Sequence, residues 1–226
     1  MAINEYLKIG VLGGMGPEAS VAFYNRIIKL FQQEQGAKHN FEYPEMLIHN
    51  MPSPDNVEAG VEDELADYLL NSTRMLEQAG MQLLAIPCNS AHVHIDKVMA
   101  AVQGKVMNIL EETAKAVHQS GLRKVLLLAT KSTLKYEIYQ SYLKDLGIET
   151  IVPSQAHQEI TTQAIMSVCD GSINSTTRRR HGENCRSLSR RTGRSIGLYR
   201  NSAYYWPRRS SNPLLRHGGD SCTRHL

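Results

Sequence analysis

The sequence has no long apolar run, no cysteine framework and, in its last quarter, no lysine. No stretch approaches the ~20 apolar residues that cross a bilayer, and the first residues lack the pattern of a secretory signal, so no membrane partner is expected. The four cysteines, Cys88, Cys169, Cys185 and Cys222, follow neither zinc-ligand nor disulfide spacing. No metal is therefore expected, and the expected compartment is a reducing cytoplasm. The missing lysines expose a break that the overall charge of +3 conceals. Residues 1–171 hold 13 Lys plus Arg against 20 Asp plus Glu, a net −7, whereas residues 172–226 hold 12 Arg against 2 acids, a net +10. A composition switch of this kind marks a boundary near Gly171.

What is present before that break is a regular alternation of strand and helix signals. Lys8 to Leu12 reads as a strand, followed by the turn Gly13-Gly14-Met15-Gly16 and a helix opening at Pro17. Met46 to His49 reads as a second strand, and Glu62 to Gln78 as a helix with Leu65, Leu69 and Leu76 on one face. Leu83 to Ile86 is a third strand, with a helix over Ala91 to Val102. Val106 to Ile109, Lys124 to Ala129 and Glu149 to Val152 are further strands, each with a helical segment behind it. One helix is expected to carry Tyr139, Leu143 and Leu146, and another to run to about Val168. Repeated β-α units predict parallel sheets flanked by helices, and 226 residues suffice for two small lobes.

Pro87-Cys88-Asn89-Ser90-Ala91-His92 is the most informative stretch. The thiol emerges at the carboxyl end of a buried strand, where open α/β sheets hold ligands. Asn89 or Ser90 is expected to cap the next helix, and backbone N–H groups near the sulfur favour thiolate. The competing reading is a cysteine buried as a small hydrophobe. Two more strand ends offer N–H groups and hydroxyls for carboxylate oxygens, the Gly13–Gly16 loop and Thr130-Lys131-Ser132-Thr133. Taken singly, they are equally a tight turn and a helix cap. The polar loop Asn50 to Asn56 ends another strand. Gly14-Met15-Gly16-Pro17-Glu18-Ala19 also fits a dinucleotide loop, but the second strand ends in Ile48-His49-Asn50 without the ribose-binding acid. A hydrolase using Cys88 as nucleophile with His92 lacks a third, orienting group.

Val11-Leu12-Gly13-Gly14-Met15-Gly16-Pro17-Glu18-Ala19, Pro87-Cys88-Asn89-Ser90-Ala91-His92, Glu111-Glu112-Thr113-Ala114 and Leu127-Leu128-Ala129-Thr130 together resemble the aspartate/glutamate racemase family, closest to its aspartate racemases. The resemblance spans residues 7 to about 171. It implies two similar α/β lobes, no cofactor, an amino-acid substrate and a homodimer. It also implies one catalytic cysteine on each lobe, one thiolate taking the α-proton and the other thiol returning a proton to the opposite face. Carried over, Cys88 is one of these thiols, Asn89 and Ser90 hold substrate carboxylate, Met15 lines the pocket, and Asn50, Thr130 and Thr133 contribute polar contacts. Aspartate is the first candidate substrate and glutamate the second.

The resemblance fails after Gly171, where the family's Gly-Cys-Thr-Glu segment is missing. Cys222-Thr223 is a weak substitute, with Arg224 in place of the acid and too few residues behind it to build a strand or helix. The genetic code offers another account. Gly197 to Arg209 can be encoded so that dropping the first base reads Ala-Cys-Thr-Glu-Ile-Pro-Leu-Ile-Ile-Gly-Pro-Glu. The tail is thus read as an out-of-frame translation, which also accounts for the switch from Lys to Arg. The expected organisation is a first lobe over 1–115, a partial second lobe over 116–171, and an aberrant tail over 172–226 without regular structure. The expected activity is impaired or absent. The alternative is a dead lobe whose basic tail attracts polyanions non-specifically, with no specific nucleic-acid target.

Overall fold

Ile9–Gly13 forms β1, an apolar run buried from Gly10 onward, as expected of a central strand covered on both faces. The computed structural model describes residues 6–53, 62–192, 195–199 and 202–206. β1 is followed by α1 (Pro17–Glu34), β2 (Met46–Asn50), α2 (Glu62–Gln78), β3 (Leu83–Ala85), α3 (Ile95–Ala101), β4 (Lys105–Val106) and α4 (Ile109–Gln119). The four strands form one sheet in the order β2-β1-β3-β4. All its pairings are parallel, with Val11 opposite both Ile48 and Ala85. β2 lies at the edge and leaves Ile48 exposed, while Leu65, Leu69 and Leu76 of α2 pack with Leu12, Leu84, Ile86 and Val98.

β5 (Lys124–Leu128), α5 (Lys131–Lys135), α6 (Gln140–Asp145), β6 (Glu149–Ile151), α7 (Gln155–Cys169), α8 (Ser175–Thr192), β7 (Ser195–Tyr199) and β8 (Ser202–Trp206) follow. Their sheet has the order β6-β5-β7-β8, so the second unit repeats the strand order of the first. β5 pairs in parallel with β6 and β7, and Leu128 stands opposite Gly197. The chain divides into two compact units, one ending at Glu112 and the other beginning at Thr113, so the division falls inside α4. No helix among the described residues is long and apolar enough to cross a membrane.

Four local expectations are corrected. The helix expected over Ala91 to Val102 opens as a 3₁₀ turn, Ser90–His94, before α3. The cause is the His92 ring: its Nδ1 takes the Cys88 carbonyl that an α-helical His92 N–H would use, and that N–H turns to Asn89 O at 3.0 Å. The strand expected over Val106 to Ile109 stops at Val106, because Asn108 Oδ1 accepts the Leu110 and Glu111 N–H groups and starts α4 instead. The helix behind Thr130 breaks into α5 and α6 around Glu137, whose φ is 50°.

The tail, fourth, carries regular structure over Ser175–Thr192, Ser195–Tyr199 and Ser202–Trp206. Asn174 Oδ1 accepts the N–H groups of Thr176 and Thr177 and so caps α8. His181, Asn184 and Leu188 then form a buried stripe, with Leu188 packed on Leu126 and Leu128. That stripe is mostly polar, which is why hydrophobic periodicity does not announce it. The described residues end with β8.

Candidate functional site

The strand order of the first unit reverses between β1 and β3, and their carboxyl ends carry the glycine loop and Cys88. Gly14 is the fixed point of the loop. Its φ is 94°, and a Cβ there would meet the Met51 carbonyl at 2.5 Å. Gly14 N donates to Ser20 Oγ at 3.0 Å, and Met51 N donates to Gly13 O at 3.0 Å. The close approach that these glycines permit is thus to the chain's own α1 and β2 exit, not to a pyrophosphate. Ser20 and Met51 escape a motif search because each acts through a contact that only the fold creates.

Cys88 is 2% exposed and belongs to the apolar cluster that includes Met15, Met51 and Ala91. Its Sγ lies 3.6 Å from Ser90 Oγ. Asn89 and Ser90 are buried beside it, and Asn89 makes no side-chain cap hydrogen bond to the 3₁₀ turn. The capping role expected of Asn89 is therefore absent. Met15 lies in the same cluster as Cys88, whereas Asn50 is exposed at the end of β2, opposite Gly13. The first unit thus brings Met15, Asn50, Cys88, Asn89 and Ser90 to one sheet edge. Asp55, Asn56 and Cys222 lie outside the described residues.

His92 is not the base of a Cys-His pair. Its Nδ1–H donates to Cys88 O at 2.8 Å, and Nε2 accepts the Ile109 N–H at 3.3 Å, which is the bonding of a neutral ring. Burial lowers its pKa to about 4, against the opposing pull of the Cys88 and Met107 carbonyls. The ring ties the cysteine turn to the start of α4.

At the carboxyl end of β5, Thr130 Oγ1 accepts the Thr133 N–H at 3.2 Å and donates to Thr133 Oγ1 at 2.9 Å. Thr130 is thereby the N-cap of α5, and both side chains are buried. Gln158 of α7, which no motif indicated, donates from Nε2 to Ala129 O at 2.9 Å. Among the described residues no group of three His, Cys, Asp or Glu side chains is placed to hold a metal.

A family model described as Asp/Glu/hydantoin racemase matches residues 12–196. The chain is 32% identical over 158 residues to the broad-specificity amino-acid racemase RacX of Bacillus subtilis (strain 168), covering 70% of this chain and 67% of that protein. It superposes on the crystal structure of an aspartate racemase homologue from Pyrococcus horikoshii OT3 with a TM-score of 0.66 and 25% identity, over 87% and 86% of the two chains. On the aspartate racemase of Picrophilus torridus the TM-score is 0.64 at 23% identity, over 83% and 78%.

Proposed function

The chain belongs to the Asp/Glu/hydantoin racemase family, and we propose that it handles aspartate first and glutamate second, using Cys88 as an acid/base thiol that needs no cofactor. The observation that carries this reading is the position of Cys88, at the carboxyl end of β3, beside the switch point of its sheet, with the Ser90 hydroxyl at 3.6 Å. A thiolate there takes the α-proton, and Asn89 and Ser90 steady the substrate carboxylate. Asn50, Met15, Thr130 and Thr133 complete the contacts that the family resemblance assigns.

Inversion requires a second proton donor, because one base alone returns the proton to the face it left. The repeated strand order supports the loss of that donor. β7 stands to β5 as β3 stands to β1, so the counterpart of the Cys88 turn falls at the carboxyl end of β7. The chain has Leu198 and Tyr199 there, within the stretch whose shifted reading gives Ala-Cys-Thr-Glu. A slipped frame near Gly171 is thus proposed as the reason that racemisation is weak or absent.

Proton NMR with L-aspartate, then L-glutamate, in heavy water tests both parts. Loss of the α-proton signal without D-isomer, abolished by Cys88→Ala, is the expected outcome. Formation of D-aspartate at family-like rates would overturn the impairment. Exchange that persists in Cys88→Ala would overturn the role of the thiol.

A further inference from the structure

The second unit holds a buried side chain whose oxygen neither the described fold nor the chemistry above employs. Gln158 is 9% exposed, and its Nε2 donates both to Ala129 O at 2.9 Å and to Thr162 Oγ1 at 3.3 Å. Both amide protons are spent, which fixes the orientation of the amide and turns Oε1 away from these partners. Oε1 is buried, and no donor among the described residues reaches it. A buried acceptor left without a donor is costly, and a ligand that brings one offsets the cost. Its place narrows the partner. Ala129 directly follows β5 and precedes the Thr130–Thr133 cap, so the amide is anchored at the carboxyl end of the central strand, beside the β5/β7 reversal where α/β sheets bind ligands.

We propose that Gln158 Oε1 accepts a hydrogen bond from the ammonium group of an amino-acid ligand at this edge. A partner for this oxygen must carry N–H or O–H, which excludes carboxylates and bare halide or phosphate anions. An ammonium brings three donors and a positive charge, and a fixed amide oxygen is suited to it. Thr133 Oγ1, which accepts the Thr130 proton, keeps its own proton to donate to a carboxylate of the same ligand. The ligand class rests on the amino-acid reading above, and the inference gives Gln158 the task of telling an amino acid from its des-amino analogue.

Calorimetric titration of the full chain with L-aspartate and with succinate tests it, because succinate has both carboxylates and no ammonium. The wild type is expected to prefer aspartate by about tenfold, the scale of one charge-assisted hydrogen bond. Gln158→Met is expected to abolish that preference by weakening aspartate alone, while Gln158→Glu, which keeps an acceptor, retains it. Equal loss for both ligands in Gln158→Met overturns the proposal in favour of a packing role. A wild type that binds both equally, or neither, overturns it in favour of an ordered water on Oε1. Should the Met variant fail to fold, loss of preference in the Glu variant overturns the proposal and retention supports it. Cys88→Ala is expected to leave the preference intact, so the thiol reading and this one fail separately.

Discussion

The two sheets share one strand order and differ in what stands at their carboxyl ends. In the first unit the edge is closed by the chain itself: Ser20 and Met51 hold the glycine loop, and His92 holds the cysteine turn. What it leaves there is a buried thiol with a hydroxyl 3.6 Å away. In the second unit the Thr130 side chain caps a helix by accepting the Thr133 N–H, Gln158 keeps an oxygen that no donor among the described residues reaches, and β7 ends in Leu198 and Tyr199. A repeated architecture therefore does not repeat its chemistry, because reactivity depends on a few loop residues that the strand ladder does not specify.

Restoring the frame is the change expected to erase this difference. A coding sequence rebuilt so that residues from about Gly171 read in the shifted frame is expected to raise D-aspartate formation by about 10²–10⁴-fold, the range of a positioned general acid. A circular dichroism assay of product handedness would read it, and no gain would sink the frame account. Packing offers the next largest effect. Leu126→Ala in the second core is expected to cost about 2–5 kcal/mol. Leu188→Ala is expected to fall at the low end of the same range, because Leu188 packs on Leu126 and Leu128 from α8. Urea unfolding of both variants measures this, and an unchanged midpoint in Leu188→Ala would remove α8 from the core.

How far the sequence reveals this molecule depends on which forces act locally. β1 and β5 are legible because buried parallel strands read as unbroken apolar runs, and α2 because Leu65, Leu69 and Leu76 share a face. Cys88 is legible as a polar turn after such a strand. The 3₁₀ turn at Ser90–His94 is not, since it depends on a histidine ring competing for a backbone carbonyl. α8 hides for a related reason: His181 and Asn184 fill its inner stripe, and Asn184 bonds to the His157 carbonyl across the helix pair. Gln158 gives no signal at all, because what distinguishes it is an oxygen that no donor among the described residues reaches.

Acid acts on both units, since each buries a histidine whose pKa burial lowers to about 4: His92 in the first and His181 in the second. The unfolded chain binds a proton at each near the ordinary value of 6.5. Between the two values the unfolded state therefore carries more protons, and stability falls as pH drops from about 6.5 towards 4. Each buried ring is expected to contribute on the order of 2–3 kcal/mol to that loss. Denaturant titrations across this window check it. His92→Gln and His181→Gln are each expected to flatten the slope by about half, and a slope unchanged in both would overturn the assignment.

The smallest effect expected belongs to Ser20, and it asks whether the glycine loop is held by packing or by one hydrogen bond. Ser20 Oγ accepts the Gly14 N–H at 3.0 Å, in the space beside Gly13 that a Cβ there would invade. Removing the hydroxyl leaves that N–H without its acceptor while the Met51 backbone still confines the loop from the other side. Ser20→Ala is therefore expected to cost about 1 kcal/mol, whereas Gly14→Ala, forced to φ 94° against the Met51 carbonyl, is expected to cost several times more. Thermal unfolding of the two variants separates the contributions. Equal losses would mean that the hydrogen bond, and not the close backbone approach, sets the position of the Gly13–Gly16 loop.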